Sequence, residues 1–241
     1  TIHWHVDPDT NEIWCYCVGR CQRGYSLYSY CAKAGLSVQE FLKNDFDFRE
    51  SPPNEVNKMV WPRSFIPLSH PDAKPGVDYI RNVRGLDPSD GIYYDTNKEG
   101  IVFPLFFNGV FCGAQIRFLK EWVDESGRPR KIDTLPGSRL GLLFFNWDQS
   151  DLLAHIRGLI VVEGAFDAIA IQQALNKAYG SVVLNPWRVI AGSGSGATHH
   201  QLEVMKDMKN KGYKIIVGGD MDAPGLKMIK KFKEADALTH Y

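Results

Sequence analysis

The sequence predicts a multidomain chain of mixed class, α+β in its earlier part and parallel α/β at its end. Three observations predict this. From about residue 155, short apolar runs alternate with helical stretches across short loops, the pattern of a parallel sheet with crossover helices. Gly158-Leu159-Ile160-Val161-Val162 is a continuous apolar run, as in a strand buried on both faces. Upstream, two strand-like runs, Gly100–Phe107 and Val110–Leu119, flank Asn108-Gly109, a strong hairpin signal.

Taken in order, residues 1–16 alternate as a hairpin: a strand around Ile2–Val6, a turn at Asp7-Pro8-Asp9-Thr10-Asn11, and a return strand over Glu12–Tyr16. Residues 26–43 place Leu27, Tyr30, Cys31 and Ala34 on one helical face. Gly35 breaks the pattern, and Ser37-Val38-Gln39-Glu40 reads as a capping box that opens a second short helix. Residues 44–75 are polar and proline-rich, with Ser51-Pro52-Pro53-Asn54, Trp61-Pro62-Arg63 and His70-Pro71, and read as a linker. Helical spacing resumes over Val77–Val83, and Arg84-Gly85-Leu86-Asp87-Pro88-Ser89-Asp90 marks its stop and the start of a new helix. The hairpin strands follow, then a polar excursion from Asp124 to Pro129. Beyond Val162 the pattern predicts a helix over Ala165–Leu175, a strand over Trp187–Ala191 and a helix over Gln201–Met208. A strand over Tyr213–Val217 and a helix beginning at Leu226–Phe232 complete it.

Composition sets the bounds. The 241 residues suit one large domain or two to three small ones. With 44% hydrophobic, 23% charged and 12% aromatic residues, the chain can bury a core and is not globally disordered. No run approaches the roughly 20 apolar residues that span a bilayer. The 28 Lys+Arg balance the 28 Asp+Glu, which argues against a coat of basic charge but leaves room for a local basic face. Thr1-Ile2-His3-Trp4-His5 has neither a basic n-region nor an apolar h-region, and the five cysteines are odd in number. A reducing, cytoplasmic setting without disulfides is expected.

Three of those cysteines cluster as Cys15-Tyr16-Cys17-Val18-Gly19-Arg20-Cys21. Thiolates are good Zn2+ ligands, and a short loop can hold two on one knuckle. Cys17 and Cys21 make the convincing pair, with Cys15 as an alternative. This is half of a tetrahedral site. His3 and His5 could contribute, though their alternation also fits a strand edge, and free cysteines in a small core remain a second reading. Cys31 and Cys112 read as small buried apolar residues.

The chemistry concentrates in carboxylates. In parallel sheets, sites lie at the carboxyl ends of strands. Glu163-Gly164 directly follows one predicted strand, and Asp220-Met221-Asp222 follows another through Gly218-Gly219. Three carboxylates converging on one crevice call for a hard cation, usually Mg2+. Asp220 and Asp222 can point the same way if the chain stays extended, and Gly218-Gly219 leaves room for a phosphate. Asp167, one helical turn beyond Glu163, can support the site. Helix capping and solvated loop carboxylates are the plainer alternative. Gly192-Ser193-Gly194-Ser195-Gly196 is not a Walker loop, and a flexible loop is as good a reading as a phosphate cradle. His199 and His200 open a helix and receive no role.

With these residues in place, 159–234 resembles a Toprim domain, the α/β module shared by DnaG-type primases, topoisomerases and some nucleases. Val161-Val162-Glu163-Gly164-Ala165-Phe166-Asp167 resembles its glutamate motif. Ile216-Val217-Gly218-Gly219-Asp220-Met221-Asp222-Ala223-Pro224-Gly225 resembles its Asp-x-Asp motif. Upstream, His3–Leu42 is similar to the second half of the primase zinc ribbon, with Gly24 and Gly35-Leu36-Ser37-Val38-Gln39-Glu40 at matching places. Residues 78–145 resemble the basic subdomain that precedes Toprim in the primase RNA polymerase domain. The pieces that match are Arg84-Gly85-Leu86, Ile101-Val102-Phe103-Pro104, Gly113-Ala114-Gln115-Ile116-Arg117, and Lys131 with Pro136-Gly137-Ser138-Arg139. The terse loops and proline-rich spacer look more like a bacteriophage primase than a bacterial one.

The resemblance implies four parts: 1–43, the C-terminal half of a zinc-ribbon domain plus helices; 44–75, a linker; 76–154, the basic subdomain; and 155–241, a Toprim domain incomplete at its C-terminus. The family's first cysteine pair and its further acidic motif have no counterpart between Thr1 and Tyr241, so the chain is expected to be a fragment cut at both ends. The implied activity is that of a DNA primase, a DNA-directed RNA polymerase. It would make short RNA primers on single-stranded DNA during replication. Glu163, Asp220 and Asp222 would be catalytic and hold Mg2+ or Mn2+, and Asp167 would support them. Arg84, Arg117, Lys131 and Arg139 would bind nucleotide or template. Zn2+ would be structural if the missing half-site exists. Partners would be single-stranded DNA, nucleoside triphosphates and a replicative helicase, separate or fused, with no membrane. The rival readings are a Toprim nuclease and a non-catalytic zinc and Toprim DNA-binding protein of recombination or repair.

Overall fold

The structure, a computed structural model, describes residues 58–123, 127–148, 155–192 and 197–239 in full, and 2–6, 13–17 and 24–26 by their backbone. The chain divides into two compact units, Thr1–Glu55 and Val56–Tyr241. In the first, β1 (Ile2–Val6), β2 (Ile13–Cys17) and β3 (Gly24–Ser26) form an antiparallel sheet in sequence order. The hairpin register sets Trp4 opposite Cys15 and Ile2 opposite Cys17. The sequence pattern did not predict β3. Cys17 ends β2, whereas Cys21, Cys31 and the two helices expected beyond Ser26 lie outside the described residues.

The second unit opens with an antiparallel meander of β4 (Phe65–Pro67), β5 (Tyr93–Asp95), β6 (Gly100–Phe107), β7 (Val110–Val123) and β8 (Pro129–Thr134). Asn108 (φ 50°) and Gly109 (φ 75°) both take left-handed backbone between β6 and β7, as the two-residue hairpin turn requires. Strand β6 is apolar throughout because both its faces are covered. Ile101, Phe103 and Leu105 enter one core, and Val102 enters another with Phe65, Phe111 and Ile116.

The linker expected over 44–75 does not extend past Trp61. The Trp61 ring sits 4.7 Å from that of Tyr93 and 4.8 Å from that of Phe111. The prolines that suggested a spacer occupy ordinary structural places. Pro67 closes an edge strand, Pro71 opens a 3₁₀ turn capped by the His70 side chain, and Pro75 lies in the first turn of α1 (Lys74–Asp78). Helix α1 widens into a π turn over Tyr79–Val83. The new helix expected near Asp87–Asp90 does not form; the chain runs irregularly to β5, with the Asp87 backbone engaged by Gln173.

The parallel layer comprises β9 (Gly158–Val162), α2 (Ala165–Ala178), β10 (Trp187–Ala191), α3 (His199–Asn210), β11 (Lys214–Val217) and α4 (Ala223–Glu234). The strand order is β10-β9-β11. Strand β9 is central. Leu159 and Val161 meet Met205, Met228 and Phe232 on one side, while Ile160 and Val162 meet Ala165, Ala168 and the meander's Phe103 and Leu105 on the other. That shared core joins the meander to the parallel layer, so the expected division at 154/155 does not separate two compact units. Among the described residues no helix is long and apolar enough to cross a membrane.

Candidate active site

Two neighbouring parallel strands deliver the acidic residues. Strands β9 and β11 pair with Val161 opposite Val217, and Gly218 N–H donates to Val161 O at 2.9 Å. The residues that leave both strands are therefore side by side. Asp220 N–H donates to Glu163 Oε1 at 3.1 Å, tying the two acidic motifs together. Asp222 caps α4 by accepting from Gly225 N–H at 2.9 Å. The glycines around Asp220 serve close approach rather than open space. A Cβ on Gly219 would lie 2.8 Å from Gly225 O, and one on Gly225 would lie 2.5 Å from Glu163 Oε1. The room expected at Gly218-Gly219 for a phosphate is thus taken, at Gly219, by the first turn of α4.

Glu163, Asp167, Asp220 and Asp222 line one cleft of about 380 Å³. Asp167 stands in the first turn of α2, where burial, and after it the charge of Asp220, push its carboxyl above the usual range, while Arg84 pulls it back. The opposite wall belongs to the meander: Phe103, Gln115, Arg117 and Ile132, with Arg84 from the end of the π turn. The Nε atoms of Arg84 and Arg117 are buried and have no hydrogen-bond partner. Arg84 lies over the Phe166 ring, 4.4 Å from its centroid.

Of the residues singled out in the sequence, the cleft gathers Glu163, Asp167, Asp220, Asp222, Arg84 and Arg117. Lys131, exposed on β8, and Arg139, half-buried before the turn at Leu140–Leu142, are not in its lining. Gly192 ends the described part of the Gly/Ser loop, whose residues 193–196 lie outside it. Among the described residues no three His, Cys, Asp or Glu side chains stand at metal-holding distances. The donors nonetheless suit a hard cation: all are carboxylates, and Glu163 and Asp222 each spend one oxygen on a backbone N–H and retain another. Phe166, Phe103 and Gln115, which lie inside matching motifs, receive no role from the sequence. Helical and strand periodicity marks the two aromatics as core, and nothing in a single sequence aims Gln115 at a cleft.

Residues 160–238 match the family described as Toprim-like. Solved structures similar to this chain include a DnaG primase catalytic domain bound to ssDNA (17% identity, TM-score 0.49, covering 73% of this chain and 65% of that one). A DnaG catalytic core matches at 18% identity and TM-score 0.48, covering 70% of this chain and 62% of that one. The E. coli primase catalytic core matches at 17% identity and TM-score 0.46, covering 72% and 66%. The chain spans less than two thirds of each of these structures. No curated protein sequence matches it. The parallel order β10-β9-β11 and the Glu163 and Asp220-Met221-Asp222 strand ends lie within the residues, 160–238, that are similar to the Toprim-like family.

Proposed function

We propose that this chain is the catalytic part of a DnaG-type DNA primase, joining ribonucleotides into short RNA primers on single-stranded DNA. The observation that carries this reading is the composition of the cleft. Four carboxylates from a Toprim-like domain face two arginines whose buried Nε–H groups lack acceptors. A metal-bound nucleoside triphosphate has the charge pattern that satisfies both walls at once. In the reaction a primer 3′-hydroxyl attacks the α-phosphate and pyrophosphate leaves. Arg84 and Arg117 would bind phosphate oxygens and orient the triphosphate. Glu163, Asp220 and Asp222 would hold Mg2+ or Mn2+, with Asp167 beside them. A bound divalent cation would supply charge stabilisation at the attacking and leaving oxygens. The hydrogen bond from Asp220 N–H holds the Glu163 carboxylate in place before substrate arrives, so little reorganisation of that group would remain at the moment of reaction.

Lys131 and Arg139 would then meet template or primer outside the cleft. Cys17 with Cys21, or Cys15, would belong to a zinc site that helps choose the start point, and a helicase would be the natural partner of such a primase. The test is primer synthesis on single-stranded DNA with Mg2+ or Mn2+. We expect incorporation by the wild-type protein and none by Glu163→Gln. Equal primer from both would sink the reading, and metal-dependent DNA cleavage without incorporation would turn it towards a Toprim nuclease.

A further inference from the structure

Arg84 reaches the cleft from the end of the π turn, and its guanidinium lies against two aromatic rings. The face of Phe166 lies 4.4 Å from the guanidinium carbon and that of Tyr79 lies 5.6 Å from it. The Phe166 ring is itself fixed, with Phe103 edge-on at 5.1 Å and Tyr79 tilted at 6.1 Å. Phe103 in turn meets Phe145 edge-on at 5.2 Å, which anchors the row of rings in the core. Just beyond Arg84, Gln173 Nε2–H donates to Asp87 O at 2.7 Å and Asp87 N–H donates to Gln173 Oε1 at 3.2 Å. Phe166 and Gln173 are seven residues apart on α2 and so share one helical face. One face of one helix therefore grips both the arginine and the chain that carries it.

We propose that Phe166 is a positioning residue that seats Arg84, and that the Asp87–Gln173 pair locks the segment behind it. An arginine side chain loses much rotamer freedom when it is fixed on a ligand. Seated in advance on a ring whose negative face attracts it, Arg84 has already lost that freedom, and its buried Nε–H, without a protein acceptor, remains available at the cleft it lines. An aliphatic side chain at 166 would fill the same space and hold no cation. The use of the seated guanidinium for phosphate rests on the nucleotidyl-transfer reading above; the seating does not.

Proton–nitrogen correlation spectra of the Arg84 side chain test the seat without any ligand. The Nε–H signal, identified by its loss in Arg84→Lys, should be displaced by the ring current of Phe166. It should return to an ordinary arginine position in Phe166→Leu and stay displaced in Phe166→Tyr. The second arm is calorimetric titration with ATP and Mg2+. Phe166→Leu should weaken binding about fivefold, Phe166→Tyr should restore it, and Phe166→Leu should cost nothing further once Arg84→Ala is present. An undisplaced Arg84 signal, or an equal loss from Phe166→Leu with and without Arg84, overturns the proposal. If wild-type protein binds no ATP, the nucleotidyl-transfer reading falls, and the spectra still decide the seat.

Discussion

A methyl group on Gly225 would stand 2.5 Å from Glu163 Oε1 and 2.6 Å from Asp220 N, inside the hydrogen bond that joins the two acidic motifs. The neighbouring backbone has nowhere to go, because Asp222 caps this same turn. Gly225→Ala should therefore cost about 1–3 kcal/mol in urea unfolding, the usual range for an overpacked site, and should lower activity together with stability. Glu163→Gln separates the two effects. The amide oxygen can still accept from Asp220 N–H, so the melting temperature should move by no more than a few degrees while primer synthesis disappears. A large fall in melting temperature for Glu163→Gln would mean that the carboxylate charge itself holds the strand ends together.

Among the elements, α3 carries the clearest pH signature. His200 lies in its first turn, where burial, and after it the neighbouring His199, hold the imidazole below the usual histidine range. The unfolded chain takes up that proton first, near pH 6.5, so stability is lost as the pH falls from there to the lowered native value. The melting temperature of the wild type should drop between about pH 7.5 and 5.5, and His200→Gln should flatten that drop. Equal slopes in both proteins would assign the loss to other groups. The elements also show what a sequence can announce. The bounds of β9 and β6 follow from continuous apolar runs, since both faces of each strand are covered, and β10 reads as a strand from Val189-Ile190-Ala191 despite Arg188. The three-residue strands β4 and β5 are too short to show a period, and their partners are set by the meander rather than by local sequence. Proline at an edge, a turn and a helix start looks the same as proline in a spacer, so the prolines of residues 44–75 suggest a linker although Trp61 to Pro75 is structured. Glu163, Asp220 and Asp222 are legible in the sequence because they lie at or just beyond the ends of apolar runs, and Asp167 because it sits one helical turn past Glu163. The seat under Arg84 was not, because Phe166 and Gln173 obey the helix period like any other residues of α2.

At the scale of the molecule, the meander and the parallel layer are joined through Gln201. Its side chain is buried, donates to Leu143 O at 2.8 Å and Leu140 O at 3.3 Å, and accepts from Thr198 N–H at 3.1 Å. One residue thus completes the capping box of α3 and satisfies the turn that leads out of the meander. Gln201→Leu strips donors from two carbonyls and should cost about 1–3 kcal/mol or more. Because residues 56–241 form one compact unit, apart from residues 1–55, the loss should shift the urea transition of that unit as a whole, seen alike by tryptophan fluorescence and by circular dichroism. A wild-type transition of residues 56–241 that itself splits in two would show that the meander and the parallel layer fold independently. The meander has one further consequence, which concerns how copies of this protein behave in a crowd. Strand β8 ends the sheet with a side that no other strand covers among the described residues, and a bare strand edge is a template for another chain. Pro129 offers no N–H to an incomer, and Arg130 and Lys131 would bring like charges against like in any second copy laid alongside. The molecule can therefore stay dispersed at high concentration without burying that edge, and replacing Arg130 and Lys131 with threonine should make it prone to fibrils, measured by light scattering and thioflavin binding.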